Sequence, residues 1–198
     1  MNHRLLSPRL SWIALPFLLA ASPALAHAGH GAQSSFAAGL LHPFTGLDHL
    51  LTMLMVGLWA GIAFPQRWWV CPTAFMAFML TGFAYGAAGG TLPIAEMLIT
   101  ASLVGLGVAL FADVRAPLAA SAGVIALFAI GHGFAHGSEM AAGAGQAQFA
   151  GGFLISTAML HGFGLALSRW ATGVGQRRVG QTTGLVAVLA AATMMWPA

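Results

Sequence analysis

Lysine does not occur in this chain, cysteine occurs once, and only four acidic residues stand against seven arginines in 198 positions. Charged residues make up 6% of the sequence and hydrophobic ones 59%, whereas an ordinary soluble domain carries about 25% charge. That balance excludes a water-soluble globular fold. The single thiol, Cys71, excludes an intrachain disulfide, a cysteine-rich metal site and an iron–sulfur cluster, and it reads as a small apolar residue at a helix start. Two of the arginines, Arg4 and Arg9, fall in a leader, which leaves five against four acids. So small an excess gives no reason to expect nucleic acid as a partner. No nucleotide-binding motif occurs either, so ATP is not expected to drive whatever the chain does.

What is abundant is apolar sequence in long runs. The first 26 residues combine a basic start, the run "WIALPFLLAA" and the small-residue site "ALA" at 24–26, the pattern of a cleaved secretory signal. Cleavage there makes residues 27–35 an exported tail, "HAGHGAQSS", carrying His27 and His30. Windows of roughly 20 apolar residues, enough for about 30 Å of hydrocarbon, fall near 36–64, 68–88, 93–112, 117–137, 147–168 and 179–196. The expected fold is therefore all-α: a polytopic membrane protein, a six-helix transmembrane bundle spanning 36–198 after signal-peptide removal. Arg67, Arg115, Arg169, Arg177 and Arg178 lie in the first, third and fifth connections and none in the second or fourth. By the positive-inside rule those three connections are cytoplasmic, with both mature termini in the periplasm of a bacterial inner membrane. The 26 glycines read mostly as close helix packing in lipid.

Against this background a few polar residues stand out. In "GHGFAHGSE" (131–139), His132, His136 and Glu139 are spaced i, i+4, i+7 and fall within about 60° of one another on a helix. In "HPFTGLDHLL" (42–51), His42 and His49 share a face of a regular helix, while Asp48 points about 100° away. Pro43 and Gly46 change that expectation, because a kinked or opened segment brings all three inward. His161 sits mid-helix among apolar and glycine neighbours, where it is either a further ligand or simply hydrogen-bonded to another helix. Glu139 and Glu96 also suit helix ends at the membrane surface. Ionisable groups within a bilayer are costly and mark function. Imidazole and carboxylate without thiolate suit borderline divalent ions such as Ni²⁺, Co²⁺ or Zn²⁺. Met53, Met55 and Met159 on the histidine-bearing helices admit a copper path, although methionine is ordinarily apolar filler.

At these residues the chain resembles the HupE/UreJ family of hydrogenase and urease accessory membrane proteins, regarded as nickel permeases. The pattern His-Pro-x-x-Gly-x-Asp-His is met by His42, Pro43, Gly46, Asp48 and His49. The second, His-Gly-x-Ala-His-Gly-x-Glu, is met by His132, Gly133, Ala135, His136, Gly137 and Glu139, with Gly131 where phenylalanine is expected. The first motif is also similar to the signature of the larger nickel/cobalt transporter family, with one extra residue before the aspartate. The resemblance implies a permease, not an enzyme, that moves Ni²⁺ or Co²⁺ from periplasm to cytoplasm, passively or by secondary coupling, to supply metalloenzyme maturation. The expected ligands are His42, Asp48, His49, His132, His136, Glu139 and His161, with His27 and His30 capturing the ion first. The ion is cargo and no prosthetic group is expected; partners would be the bilayer and metallochaperones or maturation proteins. The competing expectation is a membrane-embedded zinc metallohydrolase, in which three histidines and an aspartate activate water.

Overall fold

A computed structural model describes residues 35–140, 143 and 145–195. The leader at 1–26, His27, His30 and residues 196–198 lie outside the described residues. Seven α-helices follow in order among the described residues: α1 (Phe36–Leu41), α2 (Leu47–Ala63), α3 (Val70–Ala87), α4 (Ala95–Phe111), α5 (Leu118–Glu139), α6 (Gly145–Trp170) and α7 (Val174–Met195).

The first expected helix is in fact two. A 3-10 turn, His42–Phe44, follows α1. Pro43 has no N–H to continue the α-helical ladder, and Thr45 closes the turn by bonding the His42 carbonyl with both its N–H and its hydroxyl, at 3.0 and 2.7 Å. Gly46 is then extended (φ −113°, ψ 125°) and starts α2 as its cap. The two pieces meet at 83°. His42 and His49 therefore do not share a face of one regular helix.

Among the described residues three helices, α3, α5 and α6, are long and apolar enough to cross a membrane, and the bent α1–α2 pair passes the same test of length and composition when taken as one span. The 17 residues of α4 form a shorter apolar helix, about 25 Å at 1.5 Å per residue. Helix α7 begins five residues before the expected window because Gln176, Arg177 and Arg178 belong to its first turns, where the Gln176 amide donates to the Ser168 carbonyl at 2.8 Å. A hydropathy window passes over such a polar turn. Large apolar side chains such as Val124, Leu127, Ile155, Phe163 and Leu189 point outward, a surface suited to lipid and too apolar for water. Met159 is among them at 62% exposed, so it is no part of an internal copper path, while Met53 and Met55 are wholly buried.

Helix α3 packs most extensively on α5, α2 on α6, and α4 on both α5 and α7. The α3–α5 seam is built on glycine. Gly133 and Gly137 lie against the backbones of Met79 and Phe83, and Gly82 and Gly86 lie reciprocally against the backbone of α5. No side chain fits there, and the two helix axes come close enough for backbone contact. The guanidinium of Arg169 stacks over the Trp68 ring at 5.2 Å. This contact puts the α2–α3 connection and the end of α6 at the same end of the bundle. Cys71, as expected, is a buried apolar residue at the start of α3.

Candidate metal centre

Each histidine of the second motif is followed by a glycine pressed on α3. Because successive helical residues are 100° apart, seating Gly133 and Gly137 against that neighbour turns His132 and His136 toward α2 and α4. There they meet the broken first span. His42 Nε2 lies 2.9 Å from His136 Nδ1, and His136 Nε2 lies 2.6 Å from His49 Nε2. The rings of His49 and His132 are 4.6 Å apart, those of His42 and His49 6.3 Å. Four histidines from three elements thus occupy one place.

The hydrogen bonds assign the protons. Asp48 Oδ1 accepts from the His49 N–H at 2.9 Å and from His49 Nδ1 at 3.0 Å. A carboxylate only accepts, so His49 Nδ1 carries a proton. With the rings neutral, His49 Nε2 is a lone pair that accepts from His136 Nε2, and His136 Nδ1 accepts from His42 Nε2. The three imidazoles then form one directed chain ending on Asp48. On the other side, Ser102 donates its hydroxyl to the Ile99 carbonyl at 2.6 Å. It must therefore accept from Thr52, at 3.2 Å, and from His132 Nε2, at 2.9 Å. His132 Nδ1 is left as a bare lone pair with no hydrogen-bond partner among the described residues, in a residue with 0% exposure. An unsatisfied buried acceptor costs roughly 1–3 kcal/mol.

Aromatic rings from α6 wall the cluster, with Phe149 and Phe153 at 5.3 and 5.9 Å from His42 and Phe153 at 4.8 Å from His136. Among the described residues, no three His, Cys, Asp or Glu side chains converge as a ready-made cation site. The physical reason is the chain itself, in which the ring nitrogens are turned on one another.

Two expected members stand apart. Glu139 is exposed at the end of α5 and makes no hydrogen bond or ion pair among the described residues, although it lies within electrostatic reach of Glu96 and His49. His161 is buried in α6, but the ring of Phe75 separates it from the cluster: Phe75 is 5.6 Å from His132 on one side and 5.2 Å from His161 on the other.

The comparisons with known proteins show the family. The family described as HupE / UreJ protein matches residues 15–194, and so takes in α1 to α6 and all but the last residue of α7. The chain belongs to the HupE/UreJ family. A relative, "Protein HupE" of Rhizobium leguminosarum bv. viciae, is 33% identical over 195 residues, covering 98% of this chain and 99% of its own. No solved structure matches the chain. In this HupE/UreJ chain, Ser102 and Thr52 help form the cluster and sequence reasoning passed over both. A serine in "ITASL" carries no spacing signal, because its partners lie 50 and 30 residues away on other helices.

Proposed function

We propose that this HupE/UreJ protein is a permease that takes Ni²⁺, or Co²⁺, from the periplasm through the histidine cluster and releases it to the cytoplasm for metalloenzyme maturation. In this reading the leader is removed after Ala26, α1–α2 together with α3 to α7 make six crossings of the inner membrane, and both mature termini are periplasmic. The family is associated with nickel and cobalt transport for hydrogenase and urease. The observation that carries the reading is the Asp48-anchored imidazole chain beside the bare His132 Nδ1.

Two nitrogen ligands on one ion, each at about 2.1 Å, lie about 3.0 Å apart at a right angle and about 3.4 Å apart at the tetrahedral angle. The observed separation between His49 Nε2 and His136 Nε2 is 2.6 Å. An ion therefore needs these rings to part by roughly half an ångström, and it needs the His136 proton to move from Nε2 to Nδ1. His136 then donates from Nδ1 to His42 Nε2, and His42 carries a proton on Nδ1, so the three rings hold the same number of protons before and after, exchanged through water and not along the chain. Asp48 acts by holding His49 Nε2 toward the ion, the carboxylate–histidine arrangement that orients metal ligands. His132 Nδ1 supplies a third nitrogen.

Three neutral nitrogens suit Ni²⁺ or Co²⁺ and disfavour Mg²⁺ and Ca²⁺. Glu139 and Glu96 lend negative charge at the outer rim, and His27 and His30 of the tail are a first capture point. An inside-negative potential favours inward movement of a divalent cation by about 4–5 kcal/mol at 100 mV. Energy is thus available without ATP, and what the protein supplies is selective, reversible coordination. The rival reading, a zinc metallohydrolase, has no support from the family, an accessory transport group and not a known catalytic one.

The test is uptake of radiolabelled Ni²⁺ and Co²⁺ by cells expressing the wild type, Asp48→Ala or His132→Ala at matched membrane levels. Uptake should collapse in both variants. Uptake unchanged by both, or absent in a well-expressed wild type, refutes the permease.

A further inference from the structure

Next to the histidine cluster lies a second group of donors that the proposed transport site does not use. His161 is 3% exposed, and among the described residues none hydrogen-bonds either of its ring nitrogens. A histidine kept only for structure would direct at least one nitrogen to a neighbouring carbonyl or hydroxyl. Leaving both unpaired costs the desolvation of two polar atoms, which leucine or phenylalanine at this position would avoid. One turn away on the same face of α6, the fully buried Thr157 hydroxyl reaches Met53 Sδ at 3.3 Å and Met79 Sδ at 3.9 Å. Two thioethers, one from α2 and one from α3, are thereby gathered around one hydroxyl.

The packing holds this arrangement in place. Gly57 sits on the backbone of His161 and Gly164 on that of Leu54 and Leu58, so α2 and α6 touch backbone to backbone beside the donors. Met53 precedes Gly57 by one turn on α2, Thr157 precedes His161 by one turn on α6, and Phe75 and Met79 are one turn apart on α3. The three helices therefore contribute two successive layers about 6 Å apart. One layer is Met53, Thr157 and Met79; the other is Gly57, His161 and Phe75.

We propose that His161, with the thioethers of Met53 and Met79, forms a second ion-binding station for a borderline or soft transition-metal ion, with Phe75 standing between His161 and His132. The proposal deepens the permease reading and rests on it for the origin of the ion. Imidazole and thioether favour such ions and offer little to Mg²⁺, Ca²⁺ or Mn²⁺, which want oxygen. The station would act as a second filter, accepting only cations that tolerate nitrogen and sulfur. Thr157 holds the two sulfurs together before an ion arrives and releases them to it.

The test uses the purified full-length chain in detergent with Ni²⁺ as the probe, reading stoichiometry by equilibrium dialysis and ligand type by X-ray absorption at the nickel edge. The wild type should bind two Ni²⁺, with sulfur among the scatterers. His161→Leu should bind one. The double variant Met53→Leu with Met79→Leu, nearly isosteric and so expected to fold, should lose the sulfur signal and the second ion. A wild type that binds a single ion, lost in His136→Ala but kept in His161→Leu, overturns the second station and leaves the permease site standing. Two ions that both survive His161→Leu, with no sulfur signal, also overturn it. Ion binding lost in His161→Leu but untouched by His136→Ala supports the station and removes the outer cluster as a site. Failure of the wild type to bind any Ni²⁺ refutes both.

Discussion

The same chemical change at two glycines of α5 should have opposite effects. Gly133 is pressed on α3: a Cβ there would fall inside van der Waals contact of the Met79 carbonyl and the Phe83 amide nitrogen. Both obstacles are backbone, so no rotamer change relieves them. Gly123, ten residues earlier, would meet nothing within 4 Å. Replacing glycine by alanine inside a helix gains up to about 1 kcal/mol in propensity, and overpacking costs roughly 1–3 kcal/mol. At Gly123 only the gain applies. At Gly133 the clash wins and leaves a net loss of about 1–2 kcal/mol. For a chain of this size each 1 kcal/mol moves the melting temperature by roughly 2–4 °C, so the two variants should melt about 4–12 °C apart. The assay is thermal unfolding of purified Gly123→Ala and Gly133→Ala in one detergent, with Ni²⁺ uptake measured beside it. Uptake should fall only for Gly133→Ala, because His132 is displaced with its neighbour. A Gly133→Ala protein melting at or above the wild type would refute the close approach of α3 and α5, as would equal losses at both positions.

Asp48→Asn keeps an acceptor for His49 but removes its charge. The change from a charged to a neutral bond is worth about 1 kcal/mol, so Ni²⁺ binding should weaken about five- to tenfold; affinity equal to wild type would rule out Asp48 as the anchor of the chain. Ser102→Ala takes away the acceptor of His132 Nε2 and leaves a buried N–H unsatisfied at roughly 1–3 kcal/mol. Both the melting temperature and Ni²⁺ binding should drop, and no change in either would dissolve the Thr52–Ser102–His132 assignment.

Helices α3 to α6 were legible in the linear pattern to within two residues at each end, because a long apolar run has no solvated alternative and the backbone must satisfy itself within it. Two histidine motifs in an almost uncharged chain likewise stood out without any structure, since buried ionisable groups are too costly to be incidental. The proline and glycine at 43 and 46 signalled a break, and one is present. Its angle of 83° was not readable, because it is set by how α1 and α2 both pack on α6.

Three features were decided by tertiary structure alone. The order of the imidazole chain, with His136 between His42 and His49, joins residues 94 and 87 positions apart. Ser102 meets His132 only because α4 lies against α5. Phe75 stands between His132 and His161, which periodicity had left free to join one site. Composition and spacing thus determine which groups leave water and which face of its own helix each one takes. Which groups then meet depends on how closely separate helices approach, and here that is set by glycines whose partners are the backbones of other helices.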